Sequence, residues 1–374
     1  MQSFHPPRRL LLGPGPSDVP RRILDALARP TIGHLDPAYV GMMEELKTLL
    51  RYAFKTANPL TIPVSAPGSA GMEACFVNLV ETGESVIVCR IGVFGGRMRE
   101  NVVRAGASAV MVDDEFGRPV DPEKVEAARR ANPGAKALAF VHAETSTGAR
   151  ADAATLCRLA REHGALSIVD TVTSLGGCEV DVDGWGADAV YSGSQKCLSA
   201  PPGLSPVTFS PRATETVKAR KVPVQSWFLD MSLVMAYWDG TGGRSYHHTA
   251  PINMTYALHE SLLILHEEGL EAAWARHQAN HERLRAGLQT MGLALLGDDD
   301  GARLPQLNPV VVPEGVDEAG VRRALLDAHG IEIGAGLGPL AGKIWRSGLM
   351  GASSRPEAVD RLLGALAQAL GRSR

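Results

Sequence analysis

At 374 residues the chain exceeds one ordinary core, and usual domain sizes divide it into roughly two or three. With 45% hydrophobic residues, 21% charged residues and a net charge of −3, it has a globular composition without the basic excess that nucleic-acid binding demands. No apolar run approaches the ~18–20 residues of a membrane span.

The first residues, Met1-Gln-Ser-Phe-His-Pro-Pro-Arg-Arg9, show no signal-peptide hydrophobic region, and Gly371-Arg-Ser-Arg374 is no receptor-read address, so a cytoplasmic protein is expected. Asp36-Pro37 combines an N-cap residue with proline at the first helical position. Val40, Met43, Leu46, Leu50 and Phe54 then recur at helical spacing, which predicts an amphipathic helix. Ser85–Cys89, Ser108–Val112, Ala137–Val141 and Ala165–Val169 read as short buried strands, with Asp188–Tyr191 a further strand-like segment. Helical stretches lie between them, one opened by Asp121-Pro122. Strands apolar throughout and separated by helices predict a mostly parallel sheet covered on both faces. A long helical region from Thr255 to about Met291 precedes a second set of elements. These are strands at Asn308–Val312, Ile331–Ile333 and Lys343–Arg346, and helices near 317–329 and 356–370. The expected fold is α/β, with a large sheet domain and a smaller C-terminal α/β domain. The five cysteines, Cys75, Cys89, Cys157, Cys178 and Cys197, are odd in number and scattered, as free thiols in a reducing compartment would be.

In an open parallel sheet, functional groups collect beyond the carboxyl ends of the strands. Lys196 stands in a Ser/Gly/Pro-bounded loop, Tyr191-Ser-Gly-Ser-Gln-Lys-Cys-Leu-Ser-Ala-Pro-Pro-Gly203, just past a strand. It is either a solvated loop lysine or an amine held for chemistry. Asp170 ends an apolar strand and is either a satisfied turn residue or the carboxylate that keeps a pyridinium nitrogen protonated in pyridoxal chemistry. Ser65-Ala-Pro-Gly-Ser-Ala-Gly-Met-Glu73 opens a helix whose N-terminal amides suit a phosphate. Phe94, between Gly92 and Gly95, is either a core residue or a cover for a flat cofactor. The run His142-Ala-Glu-Thr-Ser-Thr-Gly148 offers hydroxyls for a phosphate or a ring oxygen, and no Pro-Cys-x-x-Cys follows to complete a zinc site. Arg346 lies in the strand-like Lys343-Ile-Trp-Arg346, where a guanidinium needs either an internal carboxylate or a substrate carboxylate. His247 and His248 are adjacent in extended chain and are expected to face opposite ways, with no third metal ligand apparent. No metal site is expected.

Ordered segments along almost the whole chain resemble the class V aminotransferases of pyridoxal-phosphate fold type I. They include Leu11-Leu-Gly-Pro-Gly-Pro-Ser17, Glu144-Thr-Ser-Thr-Gly148, Tyr191-Ser-Gly-Ser-Gln-Lys196, Tyr246-His-His-Thr249 and Gly336-Leu-Gly-Pro339. The similarity is strongest to the alanine–glyoxylate (serine–pyruvate) aminotransferase family. The resemblance implies pyridoxal 5'-phosphate as cofactor, Lys196 as the residue that carries it and Asp170 as the partner of its pyridine nitrogen. It implies Phe94 stacked on the ring, Ser146 as a nearby hydrogen-bonding residue, and Gly68, Ser69 and Gln195 at the phosphate. Tyr246 and Thr249 are then phosphate ligands given to the other subunit, so a homodimer with shared sites is expected. Arg346 holds the substrate carboxylate. It also implies a division into an N-terminal arm (1–15), a large cofactor domain (16–265) and a small domain (266–374). One departure is Pro67, which has no N–H to offer in the phosphate loop.

The implied reaction passes an amino group from alanine or serine to glyoxylate or pyruvate. Ureidoglycine–glyoxylate transamination is the alternative, since Ile32-Gly-His-Leu-Asp-Pro37 looks partly like that subgroup. Cysteine desulfurases generally carry histidine before the lysine, where this chain has Gln195, and need a mobile-loop cysteine that the sequence does not offer. A non-catalytic binder on the same fold is disfavoured because Lys196, Asp170 and Arg346 are all present.

Overall fold

The computed structural model describes residues 1–238, 244–297 and 300–371. The last three residues of the expected small domain therefore lie outside the described residues.

Among the described residues the twelve strands are β1 (Leu10–Leu11), β2 (Leu60–Val64), β3 (Ser85–Arg90), β4 (Ser108–Asp113), β5 (Ala137–Val141), β6 (Leu166–Asp170), β7 (Ala189–Tyr191), β8 (Ser205–Phe209), β9 (Leu307–Val311), β10 (Ile331–Glu332), β11 (Gly334–Ala335) and β12 (Ile344–Gly348). Seven of them form one sheet in the order β2-β8-β7-β6-β5-β3-β4. Strands β7, β6, β5, β3 and β4 are mutually parallel, while β8 runs antiparallel to both β7 and β2. The fold is thus α/β with a mixed, mostly parallel large sheet. Because β8 reverses and β2 reverses again, the carboxyl end of β2 returns to the same edge as those of β3, β5, β6 and β7. That edge gathers the loops that carry Gly68, Phe94, Thr145, Asp170 and Lys196.

Local chemistry explains the boundaries. The Asp36 carboxylate accepts from the Ala38 N–H at 2.8 Å and starts the helix Pro37–Phe54, with Met43, Leu46, Leu50 and Phe54 buried. Asp121 opens Pro122–Ala131 in the same manner. The expected long helix after Thr255 is two helices, Ile252–Glu268 and Leu270–Thr290, separated at Gly269, whose φ is +86°.

The small sheet has the order β11-β12-β9, antiparallel throughout. Its core is a second apolar cluster that includes Leu284, Leu288, Val310, Leu325, Trp345 and Leu362. Leu10 and Leu12 belong to this cluster, although they come from the start of the chain. β1 pairs in parallel with β10, and the Gly348 N–H donates to Leu12 O at 2.7 Å. Burial of each leucine contributes about 1.5–3 kcal/mol, enough to hold the segment that follows as a strap across the sheet edge. Among the described residues, no helix is long and apolar enough to cross a membrane.

Candidate active site

A cavity of about 200 Å³ opens at the carboxyl edge of the large sheet. Gly68, Ser69, Phe94, Arg97, Thr145, Asp170, Tyr191, Gln195 and Lys196 line it, among others. Five of the residues expected at a cofactor beyond Lys196 therefore meet at one place.

Asp170 is the last residue of β6 and is buried, with both carboxylate oxygens engaged. Oδ1 accepts from the Val172 N–H at 2.8 Å and Oδ2 from the Tyr191 hydroxyl at 2.8 Å. The second contact follows from the parallel register that sets Asp170 opposite Tyr191. Burial raises the carboxyl from its ordinary 3.8 to about 7, against the pull of those two donors.

Lys196 is also buried. The loop that carries it is fixed by the strap: the Ser17 N–H donates to Gln195 O at 3.0 Å, and the Ser17 hydroxyl donates to Lys196 O at 2.7 Å. Its Nζ donates to the Pro14 carbonyl. The next residue, Gly15, has φ +102°, and a Cβ there would stand 2.7 Å from Lys196 Cδ and 2.8 Å from Nζ. Only glycine fits between strap and amine. Burial, then the positive charge of Arg346, bring the amine from 10.5 down to about 8.

The Gly/Ser loop after β2 leads straight into a helix. The helix Gly68–Leu79 starts directly after Pro67, so the amides of Gly68 and Ser69 belong to the unpaired first turn. The Gln195 carboxamide lines the cavity, and its Oε1 is buried without a partner. A half-turn of that amide exchanges oxygen for nitrogen, so the same end can donate. Free amides at a helix start, an unsatisfied carboxamide, a buried carboxylate and a lowered amine make up the donor set that a phosphorylated pyridine aldehyde requires.

Arg346 lies on β12 and is buried. Nε donates to Ala335 O at 2.7 Å and Nη1 to Thr145 O at 3.2 Å. Among the described residues it makes no ion pair; the opposing charge it feels is that of Glu144, and burial lowers its pKa to about 10. The alternative of an internal salt bridge is therefore not what the structure contains. Arg346 reaches the site through Thr145 and is not itself on the cavity wall.

Two expectations change, those for Ser146 and for the histidine pair. Ser146 does not line the cavity: it is fully buried, its hydroxyl donates to Glu144 Oε1 at 2.6 Å and accepts from the Val93 N–H at 2.9 Å. The preceding residue, Thr145, occupies the wall instead, with its hydroxyl 2.5 Å from that of Thr173. Tyr246 and Thr249 do not line the cavity of their own chain. Tyr246 is 63% exposed, and its hydroxyl lies 3.4 Å from Thr249 Oγ1. His247 and His248 do not face opposite ways, since their Nδ1 atoms are 2.7 Å apart. His248 also reaches Ser65 Oγ at 2.7 Å, and His247 stacks on Trp227 at 4.3 Å.

Three polar cavity residues had no assigned part in the sequence: Tyr191, Arg97 and Thr145. The register of two buried strands pointed to Tyr191. Nothing in a run of adjacent hydroxyls distinguishes Thr145 from Ser146. All five cysteines are buried, and burial raises the Cys197 thiol to about 12, so none stands as a thiolate nucleophile at the cavity.

Residues 11–344 match the family described as Aminotransferase class-V. The chain belongs to the class V aminotransferases. It is 38% identical to (S)-ureidoglycine–glyoxylate transaminase of Bacillus subtilis, over 96% of this chain and 90% of that protein. It is 39% identical to alanine–glyoxylate aminotransferase of Oryctolagus cuniculus, over 97% and 93%. The crystal structure of alanine–glyoxylate aminotransferase from a Nostoc species superposes with a TM-score of 0.96, at 47% identity, covering 99% of this chain and 97% of that one. As a class V aminotransferase of the alanine–glyoxylate type, the enzyme depends on pyridoxal phosphate.

Proposed function

We propose that the enzyme transfers the amino group of a small amino acid, alanine or serine, to glyoxylate, with pyruvate as the other candidate acceptor. The observation that carries this reading is a lowered lysine on the wall of one small cavity, with an arginine that has no ion pair among the described residues held behind that wall through Thr145. Pyridoxal phosphate, when bound, supplies the electron sink and the carrier for the amino group. Lys196 and Asp170 would hold its two ends of charge, Gly68, Ser69 and Gln195 its phosphate, and Phe94 its ring face.

The chain's own groups then divide the work. An amine near 8 is neutral often enough at physiological pH to act as a base. Lys196 Nζ takes the proton from the α-carbon of the donor and, in the second half-reaction, returns one to the α-carbon of the acceptor. Arg346 orients the carboxylate that donor and acceptor share. Nothing in this division depends on a long side chain, which suits two- and three-carbon substrates.

A second reading, ureidoglycine as donor with glyoxylate as acceptor, is favoured by the 38% identity to the Bacillus subtilis transaminase. Steady-state assays with alanine, serine and (S)-ureidoglycine against glyoxylate decide between them. The first reading expects turnover with alanine or serine; turnover with ureidoglycine alone replaces it with the second.

We also infer a homodimer in which Tyr246 and Thr249 serve the partner's phosphate site. The support is that both leave their own cavity unlined. Mixing inactive Lys196→Ala subunits with Thr249→Val subunits tests it. Hybrids that recover activity at one of their two sites support sharing, and mixtures showing no change on subunit exchange oppose it.

A further inference from the structure

Glu144 is a fully buried carboxylate that the reaction does not consume. Oε1 accepts from the Ser146 N–H at 3.0 Å and from the Ser146 hydroxyl at 2.6 Å, while Oε2 accepts from the Phe94 N–H at 3.2 Å. The Gly95 N–H also bonds to this carboxylate. The Ser146 hydroxyl takes the Val93 N–H at 2.9 Å. Together the two side chains satisfy three successive amides in the first turn of the helix Val93–Arg104.

That helix has no cap of its own. Its N-cap residue is Gly92, which has no side chain to offer. A Cβ at Gly92 would lie 2.3 Å from Glu144 Cγ and Cδ and 2.5 Å from Ser146 Oγ. The local cap is therefore absent because the space is taken by a cap from another segment, the loop after β5. A carboxylate at a helix N-terminus also meets the positive end of the helix dipole, which stabilises both.

The capped turn carries cargo. Phe94 is its second residue and lines the cavity, and Arg97, one turn on, lines it too, with its guanidinium 4.7 Å from the Phe94 ring centroid. A helix start whose amides are pinned from the sheet edge can neither rotate nor slide. The ring it bears is then fixed relative to Asp170 and Lys196, which rise from the same edge.

We infer that Glu144, with Ser146, is a positioning residue for the reaction: it caps the Val93–Arg104 helix in trans and so aims Phe94 at the cofactor. The inference rests on the reading of Phe94 as the ring that faces pyridoxal phosphate. Glu144→Gln keeps the volume but replaces one acceptor oxygen with an NH₂ group, so either the Phe94 amide or Ser146 meets a donor.

The experiment uses the full-length holoenzyme and four variants: Phe94→Ala, Glu144→Gln, their double, and Ser146→Ala. It reads the dissociation constant of pyridoxal phosphate, the visible circular dichroism of the bound cofactor, and kcat and KM for glyoxylate. Phe94→Ala and Glu144→Gln are each expected to weaken cofactor binding about tenfold, the scale of one aromatic contact, and to diminish the dichroic band. kcat falls while KM for glyoxylate moves little. The double variant is expected to be no worse than the more impaired single, because one residue acts through the other. Multiplying effects in the double, or an unchanged dissociation constant and band in Glu144→Gln, overturn the inference. If Phe94→Ala itself changes neither readout, the reading of Phe94 falls and this inference with it. If only Phe94→Ala changes them, the reading of Phe94 stands and Glu144 is merely structural. Should Glu144→Gln fail to fold, Ser146→Ala decides by the same readouts, with about threefold weaker cofactor binding expected from loss of one capping bond.

Discussion

The large-sheet edge and the small sheet bear on the same cavity in opposite ways. The edge supplies groups whose charge is set by burial: Asp170 pushed up to about 7 and Lys196 pulled down to about 8. The small sheet supplies Arg346, which remains a cation well above physiological pH, at about 10, and carries no ion pair among the described residues. The difference follows from place. Asp170 ends a strand and Lys196 sits in the loop beyond β7, where the backbone of neighbouring strands and loops excludes water, and neighbouring donors and charges tune each of them. Arg346 sits within β12, held by carbonyls of β11 and of the Thr145 loop, which fix direction without removing charge. Titration belongs to one region and orientation to the other.

The largest effect that sharpens this division is the loss of the amine. Lys196→Ala is expected to lower turnover by at least about 10³-fold, and to remove the borohydride-sensitive visible band of the purified enzyme. A variant that retained near-normal turnover would place the proton transfer elsewhere. On the proposed role of Asp170 as partner of the pyridine nitrogen, Asp170→Asn is expected to reduce kcat by about 10²–10³-fold, since it withdraws that charge. Its effect on the cofactor-free protein has the opposite sign. A carboxyl raised from 3.8 to about 7 binds more protons folded than unfolded between those values, so its contribution to stability falls as pH rises through that window. The Asn variant has no such loss. Thermal unfolding of the cofactor-free proteins should therefore show Asp170→Asn gaining on the parent between pH 4 and pH 7, and a constant difference would mean that Asp170 is not held at a raised value.

The two regions were unequally legible in the sequence. Strands β3, β5, β6 and β7 are apolar and bounded by loops, so the parallel edge could be drawn, and with it Phe94, Asp170 and Lys196. β2 and β8 were not read, because Leu60–Val64 and Ser205–Phe209 each carry a proline and lack a turn signal between adjacent strands; their pairing spans the whole domain. The strap was quoted as a motif, but its contact with Lys196 is long-range and depends on Leu10 and Leu12 docking in the small core. The resemblance named Ser146, while Thr145 lines the cavity: two neighbouring hydroxyls look alike in one dimension and differ only in which face of the loop they leave. Glu144 had no assigned role, since capping a helix some fifty positions away leaves no local pattern.

The arginine tests the orienting half of the comparison. Arg346→Leu is expected to raise KM for alanine about 10–10²-fold, the scale of charged hydrogen bonds to a carboxylate, with a smaller change in kcat. It also removes a positive neighbour of Lys196, so the lysine's pKa rises from about 8. The pH midpoint for capture of pyridoxal phosphate by the cofactor-free enzyme then moves to more alkaline values. Arg346→Lys is expected to restore the charge and that midpoint without restoring KM, because an ammonium cannot reproduce the guanidinium fork. If the leucine variant moved neither KM nor the midpoint, the small sheet would have no part in the site.

The smallest effect tests whether one hydrogen bond at the sheet edge tunes Asp170. Tyr191 is at the end of β7, directly opposite Asp170 in the parallel register, and its hydroxyl donates to Oδ2 at 2.8 Å. That donor favours the ionised carboxylate and so holds its pKa below where burial alone would leave it. Tyr191→Phe removes the donor and leaves the ring, so Asp170 titrates at a still higher pH. On the proposed role of Asp170, a neutral site then meets the pyridine nitrogen more of the time, and kcat at pH 7 is expected to fall about three- to tenfold, the worth of one hydrogen bond. Raising the pH towards 9 ionises Asp170 in the variant and narrows the gap to the parent, whereas a packing defect would leave the ratio constant. A constant ratio would leave the Val172 N–H as the donor that counts, and would mean that the tuning resides in the loop after β6 rather than in the pairing of two strands.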